Sequence, residues 1–131
     1  MSIHTLTIHA ATGKFSTGTG FITNTEFQLP VKGKFVQETI TKHLVTELAI
    51  ATEEKVKKLG GTVGWGAAGV LLLGPVGLLA GLLLGGRATR TVFTMRFLDG
   101  SAILASGNSQ AYIQAQSLFM TGQADRAALG L

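Results

Sequence analysis

Apolar and polar positions alternate from the start of the chain. In HTLTIHA, Leu6, Ile8 and Ala10 are interleaved with Thr5, Thr7 and His9, the period of two that a half-buried strand requires. Thr12-Gly13-Lys14 supplies a turn, and FSTGTGFI continues as a strand whose two glycines suggest a bulge or weak pairing. Pro30 and Gly33 limit residues 27–35 to an edge strand or a loop.

Residues 43–51 satisfy two periods. Leu44, Thr46, Leu48 and Ile50 alternate as in a strand, while Val45, Leu48, Thr52, Val56 and Leu59 fall on one helical face. The strand is the favoured reading, with EEKVKKLGG as a charged lead into the next segment. Further on, TRTVFTMRFLDGSAILAS contains Asp99-Gly100, a two-residue type I′ hairpin signal. Such a loop pairs Leu98 with Ser101 and places Phe93, Met95, Phe97, Ala102 and Leu104 on one face. SGNSQAYIQAQSLF predicts a short helix over about 109–120, capped by Ser106 or Asn108. Tyr112, Ala115 and Phe119 would face inward, Gly122 would act as a stop, and residues 121–131 would form a frayed tail.

The most unusual stretch is 59–86, which carries no charge between Lys58 and Arg87. Small residues recur there at four-residue steps, Gly60, Gly64 and Ala68, then Gly77, Gly81 and Gly85. On a helix this spacing lines one face and permits close backbone approach. Gly74-Pro75 divides the run, which predicts either a helical hairpin over about 60–86 or one kinked helix. Hairpin arms would reach only about 16–21 Å, short of a bilayer core of about 30 Å. Lys55, Lys57 and Lys58 precede the run, and Arg87 and Arg90 follow it. Flanks of one sign favour both ends on the same side of a membrane, which suits the hairpin. Trp65, Leu71, Leu72, Leu73, Leu78, Leu79, Leu82, Leu83 and Leu84 are the expected contacts with lipid or a neighbouring subunit. Packing of a glycine-rich pair within the domain is the competing expectation.

Composition then narrows the classes. The 131 residues form a single expected domain, 46% hydrophobic and only 14% charged, against about 25% charged in ordinary soluble domains. Cysteine is absent, which removes disulfides and thiol chemistry. The net charge is +4. MSIHTLTIHAATGK lacks the basic start and apolar core of a signal peptide, so the expected location is cytoplasmic, at or in the inner face of a membrane. Gly64, Gly66 and Gly69 match GxGxxG formally, but charged residues precede them and no acidic residue occurs before Asp99. No Walker lysine follows the glycines, His4 and His9 fall on opposite strand faces, and no nucleophile elbow occurs. No catalytic residue, metal site or cofactor is expected, and Arg90 and Arg96 lie on the strand face opposite Phe93 and Phe97, which disfavours nucleic acid.

The order TEEKVKKLGG, GWGAAG, LLGPVGLLAGLLLGG, a TVFTMRFLDGSAILA hairpin and a short helix resembles a set of small, uncharacterised bacterial and phage proteins. The resemblance covers about residues 44–119 and implies a compact β domain, likened to a bacterial pleckstrin-homology-like fold, carrying a glycine-rich apolar insertion. It implies no activity. The expected fold is α+β: a small, mainly antiparallel sheet, a glycine-zipper helical hairpin and a short C-terminal helix. The expected role is non-enzymatic, with the chain itself as partner and membrane lipid as a second. The alternative is a soluble module that binds a larger protein through a sheet edge or the basic flanks.

Overall fold

The structure is a computed structural model and describes residues 3–51 and 90–130. These residues form one antiparallel sheet of seven strands: β1 (His4–Ala11), β2 (Gly18–Ile22), β3 (Glu26–Leu29), β4 (Glu38–Thr41), β5 (Val45–Ile50), β6 (Arg90–Phe97) and β7 (Ala102–Asn108). One α-helix follows, α1 (Ser109–Leu129). The strands lie in the order β4-β3-β2-β1-β7-β6-β5, so β4 and β5, consecutive in sequence, occupy opposite edges.

That order forces curvature. Strands about 4.8 Å apart make a flat seven-stranded sheet nearly 30 Å wide. Only a 3-10 turn, Lys42–Leu44, joins Thr41 to Val45, and four Cα steps span at most about 15 Å. The sheet therefore rolls into a half-barrel that brings its edges together. A bulge in β1 assists, because the pairing with β7 shifts between Ile8 and Ala10.

The concave face holds the core. Leu6, Ile8, Phe15, Ile22, Phe27, Leu29, Ile40, Phe93, Met95 and Ile103 are buried in one cluster with Ala111, Ala115 and Leu118 of α1. At about 1.5–3 kcal/mol for each large apolar side chain, this burial is the main term opposing chain entropy. Phe15, from the β1–β2 loop, stacks at 4.6 Å on Phe97, and Phe93 meets Tyr112 at 5.2 Å. These contacts join the two halves of the sheet and seat the helix.

Helix α1 packs on the 3-10 turn and β5, and reaches β7, β1, β6 and β2 across the concave side. Its buried positions, Ala111, Ala115, Leu118 and Gly122, form one stripe. Gly122 rests on the 3-10 turn so closely that a Cβ would fall inside the Lys42 carbonyl. One turn on, Arg126 Nη1 donates to the carbonyls of His43 at 3.1 Å and Val45 at 2.8 Å. Asp125 lies 3.5 Å from Lys42 Nζ. The guanidinium thus serves one carbonyl of the 3-10 turn and the first carbonyl of edge strand β5.

Several expectations are corrected. The structure is mostly antiparallel sheet with a single C-terminal α-helix, and no helical hairpin is present among the described residues. The stretch on which the glycine-zipper hairpin was placed, 60–86, lies outside them. The helix is not confined to 109–120: it continues through the expected tail to Leu129 and ends at Gly130, whose φ is +77°. Asn108, not Ser106, is the cap, accepting from the Ala111 N–H at 2.8 Å. Gly122 is an approach point in the helix and not a stop.

The β6–β7 hairpin is displaced by one residue. Met95 faces Ile103 and Phe93 faces Ala105, in place of Leu104 and Ser106. Gly100 alone has positive φ, at +91°, so Asp99 does not adopt the type I′ conformation. The turn is a three-residue loop in which the Phe97 N–H donates to the Ser101 carbonyl at 2.8 Å. As a result Ala102 and Leu104 point to the face opposite Phe93 and Met95. Residues 27–35 also differ from the expectation: β3 is interior, and the edge is β4, whose only buried residue is Ile40.

Gly122→Ala isolates the contact with the 3-10 turn. In an ordinary helix this change stabilises by about 1 kcal/mol. Here the added methyl meets backbone that cannot yield, and the expected result is a net loss of about 1–3 kcal/mol in denaturant unfolding. A stability gain would show that the helix is not seated on the 3-10 turn.

Candidate functional site

Two regions qualify as sites, one a cavity and one a junction. The cavity sits where the β1–β2 loop, the end of β4, the 3-10 turn and the β6–β7 turn converge. It has a volume of about 170 Å³ and is lined by Lys14, Phe15, Ile40, Leu44, Phe97, Leu98 and Asp99. Its walls are apolar except for the two charged residues. Gly13, with φ +70°, turns the chain so that Phe15 enters the core and Lys14 stays at the rim.

Both charges already have partners. Lys14 Nζ lies 3.1 Å from Glu38 Oε2, an ion pair that closes the loop onto β4 without hydrogen-bond alignment. The same ammonium stands 5.6 Å from the centroid of the Phe15 ring. Asp99 Oδ1 accepts from the Ser101 N–H at 2.9 Å. That bond holds the Asp99 carboxyl below its usual range, helped by the Ser101 hydroxyl and Lys14 and opposed by slight burial. Burial raises the Tyr112 phenol, with a hydrogen bond to Gln116 opposing. No cavity-lining residue is a nucleophile beside a base, so the geometry suits a small apolar group and offers no acid/base pair. Among the described residues no three His, Cys, Asp or Glu side chains gather to hold a metal ion.

The junction is at the border of β5 and β6. Ile50 pairs with Phe93, and the Ala51 N–H donates to the Val92 carbonyl at 2.9 Å. Ala51, directly after β5, and Arg90, the first residue of β6, bracket residues 52–89 and therefore sit at adjacent strands. The sheet is continuous across this point.

Most residues singled out in the sequence belong to that segment. Gly60, Gly64, Ala68, Gly77, Gly81 and Gly85, together with Trp65, Leu71–Leu73, Leu78, Leu79 and Leu82–Leu84, lie outside the described residues. So do Lys55, Lys57, Lys58 and Arg87. Arg90 opens β6 opposite Asn108. His9 Nε2 lies 2.7 Å from Ser106 Oγ, and His4 pairs with Ile22 in β1–β2. The cavity residues were not anticipated, because they come from four distant places in the chain and no spacing links them.

No family model matches the chain, and no curated protein or solved structure matches it either. Among the described residues no helix is long and apolar enough to cross a membrane.

Asp99→Ala tests the cavity rim. A largely exposed carboxylate accepting one backbone N–H contributes at most about 1 kcal/mol. Because the folded-state value is lowered, that contribution is present above the usual aspartate range and disappears as pH falls through the lowered value. Wild-type and variant unfolding free energies are therefore expected to differ at pH 7 and converge in acid. A difference that persists unchanged at pH 2 contradicts this assignment.

Proposed function

We propose that the chain is a non-enzymatic self-assembling protein, oligomerising through its glycine-spaced apolar segment, with membrane association as a consequence. The observation that carries this reading is the union of two facts. Residues 59–86 are uncharged and rich in leucine and glycine, and the described residues that bracket positions 52–89 lie at the neighbouring strands β5 and β6. The two attachment points are thus side by side on a sheet whose strands pair without interruption.

The chemistry of such a stretch favours association. Leucine side chains supply apolar area at about 25 cal/mol per Å² buried, and glycine lets backbones approach. The basic residues beside it, Lys55, Lys57, Lys58 and Arg87, add attraction to anionic lipid of about 1 kcal/mol each near a surface. Likeness to a pleckstrin-homology domain rests on the sequence resemblance alone.

A second reading has its own support. Phe35 and Val36 are 107% and 72% exposed in the loop before edge strand β4, flanked by Lys32 and Lys34. Exposed apolar residues beside a free edge suit a soluble module that adds a partner strand.

Mass determination with and without detergent, combined with vesicle flotation, separates the two. Self-assembly predicts a wild-type oligomer and a smaller species for the Gly77→Leu/Gly81→Leu double variant. A wild-type monomer without detergent that neither floats nor changes size on substitution contradicts it and favours the soluble module.

A further inference from the structure

The two faces of the sheet differ along its width. On β2, β3 and β4 the convex face carries Thr19, Phe21, Glu26, Gln28, Thr39 and Thr41, polar except for Phe21 and all exposed or half-buried. On β6, β7 and the bulged end of β1 the same face carries Val92, Thr94, Ala102, Leu104 and Ala10, none more than 6% exposed. Register fixes the assignment. Thr94 pairs with Leu104, Arg96 with Ala102 and Ala10 with Leu104, whereas the core residues Phe93 and Met95 pair with Ala105 and Ile103.

The four apolar residues of this strip stand outside the core cluster, and α1 lies on the concave side. A strand apolar on both faces, as β7 is, belongs between two layers. The described residues provide one of them.

We infer that the convex strip of β1, β7 and β6 is the seat of this chain's own apolar segment, residues 59–86. Three observations select that occupant. The described residues on either side of it border the strip: the Ala51 N–H donates to the Val92 carbonyl, and β6 begins at Arg90. Its uncharged leucines and glycines match a surface of Val, Thr, Ala and Leu. Its tether gives an effective concentration in the millimolar range, beyond the reach of a second copy in dilute solution. The seat stands whether or not the segment also assembles, and it defines the contact that assembly has to displace.

Trp65 is the only tryptophan and the chain has no cysteine, so a single engineered thiol reports their proximity. Thr7→Cys places a nitroxide at the exposed rim of the convex face, and Gln123→Cys places one on the far side of α1. Arg96→Cys, on the convex face of β6, repeats the first measurement if a label at position 7 disturbs β1. Full-length labelled chains are diluted into an excess of unlabelled Trp65→Phe chains, so that only contacts within one chain quench. The expected result is at least twofold quenching of Trp65 from position 7 or 96 and none from 123. Unquenched emission from both convex positions, or equal quenching from 123, overturns the seat. Quenching that vanishes on dilution overturns the choice of occupant and assigns the strip to a neighbouring copy. Sizing of the same samples keeps the two questions apart: a quenched monomer upholds the seat and contradicts self-assembly.

Discussion

A three-residue connection between the two edges of the sheet is the constraint from which the rest of the structure follows. Because Lys42–Leu44 must carry the chain from β4 to β5, the sheet cannot be flat, and its concave side holds the shared core. Helix α1 holds the connection and the β5 edge in place, with small residues where it must come close and with Arg126 donating to the carbonyls of His43 and Val45. The cavity at the mouth of the half-barrel, lined by Phe15, Ile40, Leu44 and Phe97, is a by-product of the same closure.

The sequence disclosed local structure better than long-range arrangement. Leu6, Ile8 and the alternation around them marked β1 clearly, and Asn108 could be read as a cap. The β6–β7 hairpin was legible as a hairpin but not in its register. Apolar residues occupy both faces of AILAS, so a slip by one still yields a coherent apolar face, and only the positive φ of Gly100 decides it. The length of α1 was hidden for a related reason. A stripe of Ala111, Ala115 and Gly122 gives little apolar contrast, and a glycine chosen for close approach looks like one chosen to stop a helix. β4 was invisible because four residues with one buried isoleucine carry no period. The cavity could not be read at all, since curvature of the sheet assembles it.

Function divides along the same line. The sheet and α1 form a domain in which several charged groups hold structure together: Lys14 with Glu38, Asp99 with Ser101, Lys42 with Asp125 and Arg126 with backbone. The unusual composition is concentrated between β5 and β6, at a junction the sheet holds from both sides. A convex face over β2–β4 that is polar except for Phe21, and a buried apolar one over β6–β7, make the domain asymmetric, and the apolar half adjoins that junction.

The closure account is tested most directly by native-state hydrogen exchange on wild type and Arg126→Met. The account predicts that the variant loses protection together in the last turns of α1, in the 3-10 turn and along β4 and β5, while β1, β2, β6 and β7 keep theirs. Loss confined to the helix end, with β4 and β5 unchanged, would contradict the claim that the helix closes the rolled sheet.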